Sequence, residues 1–166
     1  MRVLGIDPGS RHTGYGVVEN VGDRLVPVLF GSLSLPASME LPTRLGSIFT
    51  GIRRIIEQAS PTEMAVEAVF VSRNARSALI LGHARGAAMA AGIHGGLQVF
   101  EYSALEIKQA VVGYGKAEKS QVARMVGLLL GLHDLQDPHA ADALAAAVCH
   151  IHARSFPTLY SPAQRP

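Results

Sequence analysis

The chain opens on an apolar run, Val3-Leu4-Gly5-Ile6, that ends in an isolated acid, Asp7, and turns at once through Pro8-Gly9-Ser10 toward Gly14-Tyr15-Gly16. A buried strand seldom ends in a carboxylate without a partner for its charge. Pro8 and Gly9 fold the backbone sharply around that charge. The opening element therefore reads as a strand whose carboxyl end has the local geometry of a metal or phosphate site.

At 166 residues and 48% hydrophobic, the chain suits one sizeable core and not two. A single domain over 1–154 is expected. Residues 155–166, with three prolines and little periodicity, read as a flexible tail. The most apolar stretch, 78–93, is interrupted by His83 and Arg85, so no membrane contact and a cytoplasmic location are expected. The lone cysteine, Cys149, falls in a helical-looking stretch and reads as a small core residue in a reducing compartment.

A net charge of +2 does not by itself announce a nucleic-acid partner. The distribution is more telling. Of fifteen cationic residues only three are lysines, and Lys108, Lys116 and Lys119 all lie beside the loop Gly113-Tyr114-Gly115. Compact, rotatable ammonium groups suit phosphate contact, although charge alone equally suits three solvated surface lysines.

The hydrophobic pattern reads as α/β. Residues 3–6, 14–18 and 25–35 form three strands, with Gly22-Asp23 as a hairpin signal. A helix follows, with Leu41, Leu45, Ile48, Ile52, Ile55 and Ile56 on one stripe. A short strand over 64–70 carries a second isolated acid, Glu67, and an alanine- and glycine-rich helix over 75–91 packs against the sheet or a second copy. After a strand over 97–102, Ser103 and Glu106 have capping-box spacing for a helix bearing Lys108, and 120–132 reads as another helix. Asp137 and Pro138 then start a helix reaching about 153, with His139 and Asp142 on one face of its first turns.

If the strands ending in Asp7 and Glu67 are parallel neighbours, their carboxylates emerge at one sheet edge, where open α/β folds place ligands. The last helix can bring His139 and Asp142 there. Carboxylates gathered together repel, and a divalent cation resolves that repulsion; hard oxygen donors select Mg²⁺ or Mn²⁺ over zinc. Each residue also has an ordinary explanation. Asp7 can cap its turn, Glu67 can pair with Arg73, Asp142 can sit on a helix surface and His139 can be a polar first-turn residue.

Taken in order, Gly5-Ile6-Asp7-Pro8-Gly9-Ser10-Arg11-His12-Thr13-Gly14-Tyr15-Gly16, Val66-Glu67-Ala68-Val69-Phe70, Asn74-Ala75-Arg76-Ser77-Ala78-Leu79, Val99-Phe100-Glu101-Tyr102, Lys108-Gln109-Ala110-Val111-Val112-Gly113, Ala117-Glu118-Lys119-Ser120-Gln121-Val122 and Ala141-Asp142-Ala143-Leu144-Ala145 resemble the RuvC family of bacterial Holliday-junction resolvases. The resemblance spans nearly the whole chain. It implies an RNase H-like fold: a five-stranded mixed sheet, with an antiparallel meander of three strands followed by parallel strands, flanked by helices.

The implied activity is that of a homodimeric, structure-selective endonuclease acting in homologous recombination and DNA repair. It would make paired, symmetric, metal-dependent nicks in strands of like polarity across a four-way DNA junction, leaving 5′-phosphate and 3′-hydroxyl ends. By the family pattern Asp7, Glu67 and Asp142 are catalytic metal ligands, joined by His139 where many members carry aspartate, with Lys119 at the scissile phosphate. Two Mg²⁺ or Mn²⁺ ions per site are implied, and the imidazole favours Mn²⁺. Arg11, Arg73, Arg76, Lys108, Lys116 and Lys119 are candidate DNA contacts, and Phe70 is either a base-stacking wedge or a core residue. The RuvA–RuvB branch-migration complex is the implied partner. Two other readings stay in view: a junction-binding adaptor without strong catalysis, and a relative of actin-like ATPases, whose first phosphate loop resembles Gly5-Ile6-Asp7-Pro8-Gly9.

Overall fold

The opening run becomes the central strand of a mixed sheet in a computed structural model that describes residues 1–68 and 74–155. Strands β1 (Arg2–Asp7), β2 (His12–Val21) and β3 (Arg24–Ser34) form the antiparallel meander. Its second turn, between β2 and β3, is the two-residue loop Gly22-Asp23, with φ +60° at Gly22, as a tight hairpin requires. Helix α1 (Leu41–Ala59) crosses over to β4 (Glu63–Glu67), parallel to β1, and α2 (Ala75–His94) crosses to β5 (Gln98–Tyr102), parallel to β4. The strand order is β3-β2-β1-β4-β5. Helices α3 (Ala104–Val112), α4 (Lys119–Leu130) and α5 (Pro138–Ser155) complete the chain.

Strand alternation divides the core in two. Leu4, Ile6, Val17, Met64 and Val66 pack with Ile48, Ile52 and Ala88 of α1 and α2, whereas Val3, Val18 and Ala65 pack with α3, α4 and α5. Residues 3, 5 and 7 of β1 and 63, 65 and 67 of β4 therefore share the α5 face. Alanine dominates α5 because its backbone lies almost on the strands: a Cβ at Gly5 would come within 1.9 Å of the Ala143 carbonyl oxygen.

Several element boundaries differ from the sequence pattern by one residue or more. β4 stops at Glu67, beyond which the Ala68 amide donates to the Tyr102 carbonyl. Val69 and Phe70 lie outside the described residues, as does 156–166, while Ser155 closes α5. Lys119 begins α4, capped by the reciprocal pair Glu118 and Gln121, and Gly131 at φ +65° ends it. Cys149 is buried, and desolvation pushes its thiol up to about 12, in keeping with an inert core residue.

The far end of α5 is fastened by a buried polar group absent from the sequence reading. His150 Nε2 lies 2.6 Å from Glu63 Oε2, its Nδ1 lies 2.7 Å from the Tyr102 hydroxyl, and Arg154 meets the other Glu63 oxygen at 2.8 Å. A carboxylate only accepts, so Nε2–H donates to Glu63 and Nδ1 accepts from Tyr102. Burial holds the imidazole below its ordinary value of 6.5. The fold thus prefers neutral His150, and this stability is complete above about 6.5 and is lost as pH falls below it. Thermal melts between pH 5 and 8 should show this acid slope. His150→Phe should be less stable at pH 8 by about 1–3 kcal/mol, from the partners left unpaired, with a shallower slope. Parallel slopes in the two proteins would show that His150 is not responsible.

Candidate active site

Register brings the first two acids together. β1 and β4 are parallel with Ile6 opposite Val66, so the next residues, Asp7 and Glu67, stand side by side on the α5 face. Burial raises both carboxyls. For Asp7, the hydrogen bond from His139 opposes that rise and nearby Asp142 adds to it. For Glu67, burial and the negative charges of Asp7 and Asp142 lift the carboxyl to about 7.

The start of α5 supplies the rest. Asp137 accepts from the amides of His139 at 2.9 Å and Ala140 at 3.3 Å, as an N-cap should. Burial would raise the Asp137 carboxyl, but hydrogen bonds from Ser32 and these amides hold it low. A Cβ on Gly14 would lie 2.0 Å from the His139 carbonyl oxygen, so only glycine lets the helix sit this close to β2. In that position His139 Nδ1 reaches Asp7 Oδ2 at 3.0 Å. Nδ1 donates to the carboxylate, leaving Nε2 as the ring's other ligand atom.

Lys119, the first residue of α4, donates to Asp142 Oδ2 at 2.7 Å, and this hydrogen bond, assisted by Asp7 and Glu67, raises its ammonium. A cavity of about 130 Å³ adjoins these groups, lined by Glu67, Lys108, Lys119 and Asp142 over an apolar floor of Ile107 and Val122. Asp7, Glu67, His139, Asp142 and Lys119 are thus brought to one sheet edge, with Lys108 beside them. Lys116 and Arg11 are exposed and do not line the cavity, and Arg76 is exposed in the first turn of α2. Phe70 and Arg73 lie outside the described residues. Arg85, on the same helix as Arg76, is paired with Glu101.

Three carboxylates and an imidazole form a donor set suited to a divalent cation, which would offset both the burial that chiefly raises Asp7 and Glu67 and the neighbouring negative charges that add to it. Among the described residues no three such donors already close on one point. Lys119 forms an ion pair with Asp142, and His139 hydrogen-bonds Asp7.

Sequence reasoning missed His12. Its ring stacks on that of His139, with centroids 5.2 Å apart and planes 11° from parallel. His12 begins β2, just past the turn that follows Asp7, so proximity to that acid was available from the sequence, but its pairing with a residue 127 positions later arises only when α5 docks.

A family model described as crossover junction endodeoxyribonuclease RuvC matches residues 3–150. The chain is 56% identical over 152 residues to the crossover junction endodeoxyribonuclease RuvC of Pelobacter propionicus, covering 92% of this chain and 86% of that protein. It is 55% identical to the Geobacter sulfurreducens protein of the same name, with 92% and 93% covered. The structure of Thermus thermophilus RuvC in complex with Holliday junction substrate superposes with a TM-score of 0.89 at 34% identity, covering 95% of this chain and 97% of the other. The yeast mitochondrial Holliday junction resolvase Ydc2, at a TM-score of 0.69 and 13% identity, shares the fold. With the family match running from β1 into α5, through every residue of the acidic cluster, the chain belongs to the RuvC family of crossover junction endodeoxyribonucleases.

Proposed function

We propose that this protein resolves Holliday junctions by paired, symmetric nicks in strands of like polarity, leaving 5′-phosphate and 3′-hydroxyl ends, and that Asp7, Glu67, His139 and Asp142 hold its catalytic cations. The observation that carries the reading is the convergence of three carboxylates on one sheet edge in a chain of this family. Bound at these residues, a pair of divalent cations supplies charge for generating the nucleophile and holding the leaving 3′ oxygen.

The protein's own groups do the remaining work. Asp7 and Glu67, fixed on the two central parallel strands, set the position at which the scissile phosphate must lie. Lys119 donates to Asp142, but its side chain is 82% exposed on a flexible stem and can transfer to phosphate, where it offsets developing negative charge. Lys108 contacts the neighbouring backbone, and Lys116, Arg11 and Arg76, with Arg73, are assigned to flanking phosphates, which position the DNA without reading its sequence. Phe70 is assigned to stacking near the junction centre.

Residues 1–154 act in this reading as one nuclease domain, and two copies make the working unit. Helix α2 supports the dimer, because Ala75, Ala78, Leu79 and Gly82 turn outward around an open apolar groove of about 480 Å³. The branch-migration complex RuvA–RuvB is the expected partner.

Incubation with a synthetic four-way junction, with EDTA, Mg²⁺ or Mn²⁺, tests the reading. Symmetric cation-dependent nicks support it, whereas binding without cleavage under all three conditions makes the protein an adaptor. Because imidazole is a softer ligand than carboxylate, Mn²⁺ should give the faster cleavage. His139→Asp should move the Mn²⁺-to-Mg²⁺ rate ratio toward Mg²⁺; an unchanged ratio means that His139 does not ligate. Lys119→Ala should slow cleavage of bound junction by on the order of 100-fold, with little loss of affinity. A loss confined to affinity would reduce Lys119 to a phosphate contact.

A further inference from the structure

The hydrogen bond between His139 Nδ1 and Asp7 Oδ2 fixes one atom of the imidazole and leaves its plane undetermined. The side chain is 39% exposed, so the protein core does not enclose it. Its flat face is covered instead by His12, in a nearly parallel stack. We propose that His12 is a positioning residue for the nuclease centre, setting the plane of the His139 ring and hence the direction in which its Nε2 lone pair addresses a divalent cation. The proposal rests on the reading of His139 as a ligand.

His12 is well placed for this task because it is itself held. It is the first residue of β2, opposite Ser34 in the β2–β3 register, and its Nδ1 lies 3.3 Å from Ser34 Oγ. The turn behind it is tight: Thr13 Oγ1 donates to the Gly9 carbonyl at 2.6 Å, and a Cβ on Gly9 would fall 2.1 Å from the His12 carbonyl oxygen. A ring anchored to the meander therefore bears on a ring carried by α5. Hydrogen bonding at one edge and stacking across the face together restrict both the location and the tilt of the ligand. Groups that orient a metal-binding histidine without touching the metal ordinarily work in this way.

Five proteins test the proposal: wild type, His12→Ala, His12→Phe, which keeps a flat ring, His139→Ala, and the double variant that combines His12→Ala with His139→Ala. Melting curves establish that each is folded. Mn²⁺ affinity is read without DNA from the electron paramagnetic resonance of free Mn²⁺, junction affinity is read in EDTA, and single-turnover cleavage is read on saturated junction with Mn²⁺. His12→Ala is expected to weaken Mn²⁺ binding and slow cleavage by about 10-fold each, the lower range for an orienting partner, with junction affinity in EDTA unchanged. His12→Phe should recover most of both. Adding His12→Ala to His139→Ala should cause no further loss, because His12 acts through that ring.

If His139→Ala loses Mn²⁺ affinity while His12→Ala keeps it, the proposal fails and the ligand reading stands. If His12→Ala weakens junction affinity in EDTA and nothing else, His12 is a phosphate contact and the proposal is overturned. If His139→Ala binds Mn²⁺ as wild type does, the ligand reading and the proposal fall together.

Discussion

Asp7→Asn is expected to slow junction cleavage by on the order of 10³-fold or more while leaving the affinity for a four-way junction close to wild type. The substitution keeps size and shape and removes one charge at the centre of the cluster, where Asp7 stands beside Glu67 and accepts from His139. Few DNA contacts should depend on it, since the exposed cations lie on other elements. Single-turnover cleavage with Mn²⁺ and binding in EDTA separate the two quantities. Parallel losses in both would mean that Asp7 organises the DNA-binding surface and not the reaction.

Gly14→Ala should have the second-largest effect, through a position that carries no chemistry. The added methyl would meet the His139 carbonyl oxygen at 2.0 Å, backbone against backbone, and no rotamer can relieve it. The start of α5 must move off β2, carrying His139 and Asp142 away from Asp7. A displacement near 1 Å can cost about 100-fold in rate, whereas overpacking of this kind costs roughly 1–3 kcal/mol of stability. The protein should therefore remain folded, with the far half of α5 still fastened through His150, and be nearly inactive. Cleavage assays alongside thermal melts check this; a variant that melts as wild type does and cleaves at the wild-type rate would show that α5 yields without consequence.

How much of this was legible in the sequence depends on the range of the interactions involved. The Asp7 strand, the Gly22-Asp23 hairpin, the Ser103/Glu106 capping box and the Asp137-Pro138 helix start are local devices, and each occurs where its pattern indicated. The ordered family resemblance supplied the topology, which local pattern does not determine. Boundaries shifted where a partner decided them: β4 ends at Glu67 and α4 begins at Lys119, adjacent to Asp142 across the fold. The His12–His139 stack and the Glu63–His150–Tyr102 fastening were invisible. Their members lie 127, 87 and 48 residues apart, and a lone histidine carries no mark of the ring or carboxylate it will meet.

The close seat of α5 has one further consequence, for the entropy of cation capture. Where this helix crosses the strands, Gly5 and Gly14 face the backbone at Ala143, Ala147 and His139, and neither glycine nor alanine has a side-chain rotamer to exchange. The distance between Asp7 on the sheet and His139 and Asp142 on the helix can then change only if the helix moves as a body. Most of the disorder that four ligands from three elements would otherwise lose around an ion is removed earlier, as the chain folds. The cation meets donors whose carriers are already fixed, and the Lys119 ammonium has only to leave Asp142 to admit it.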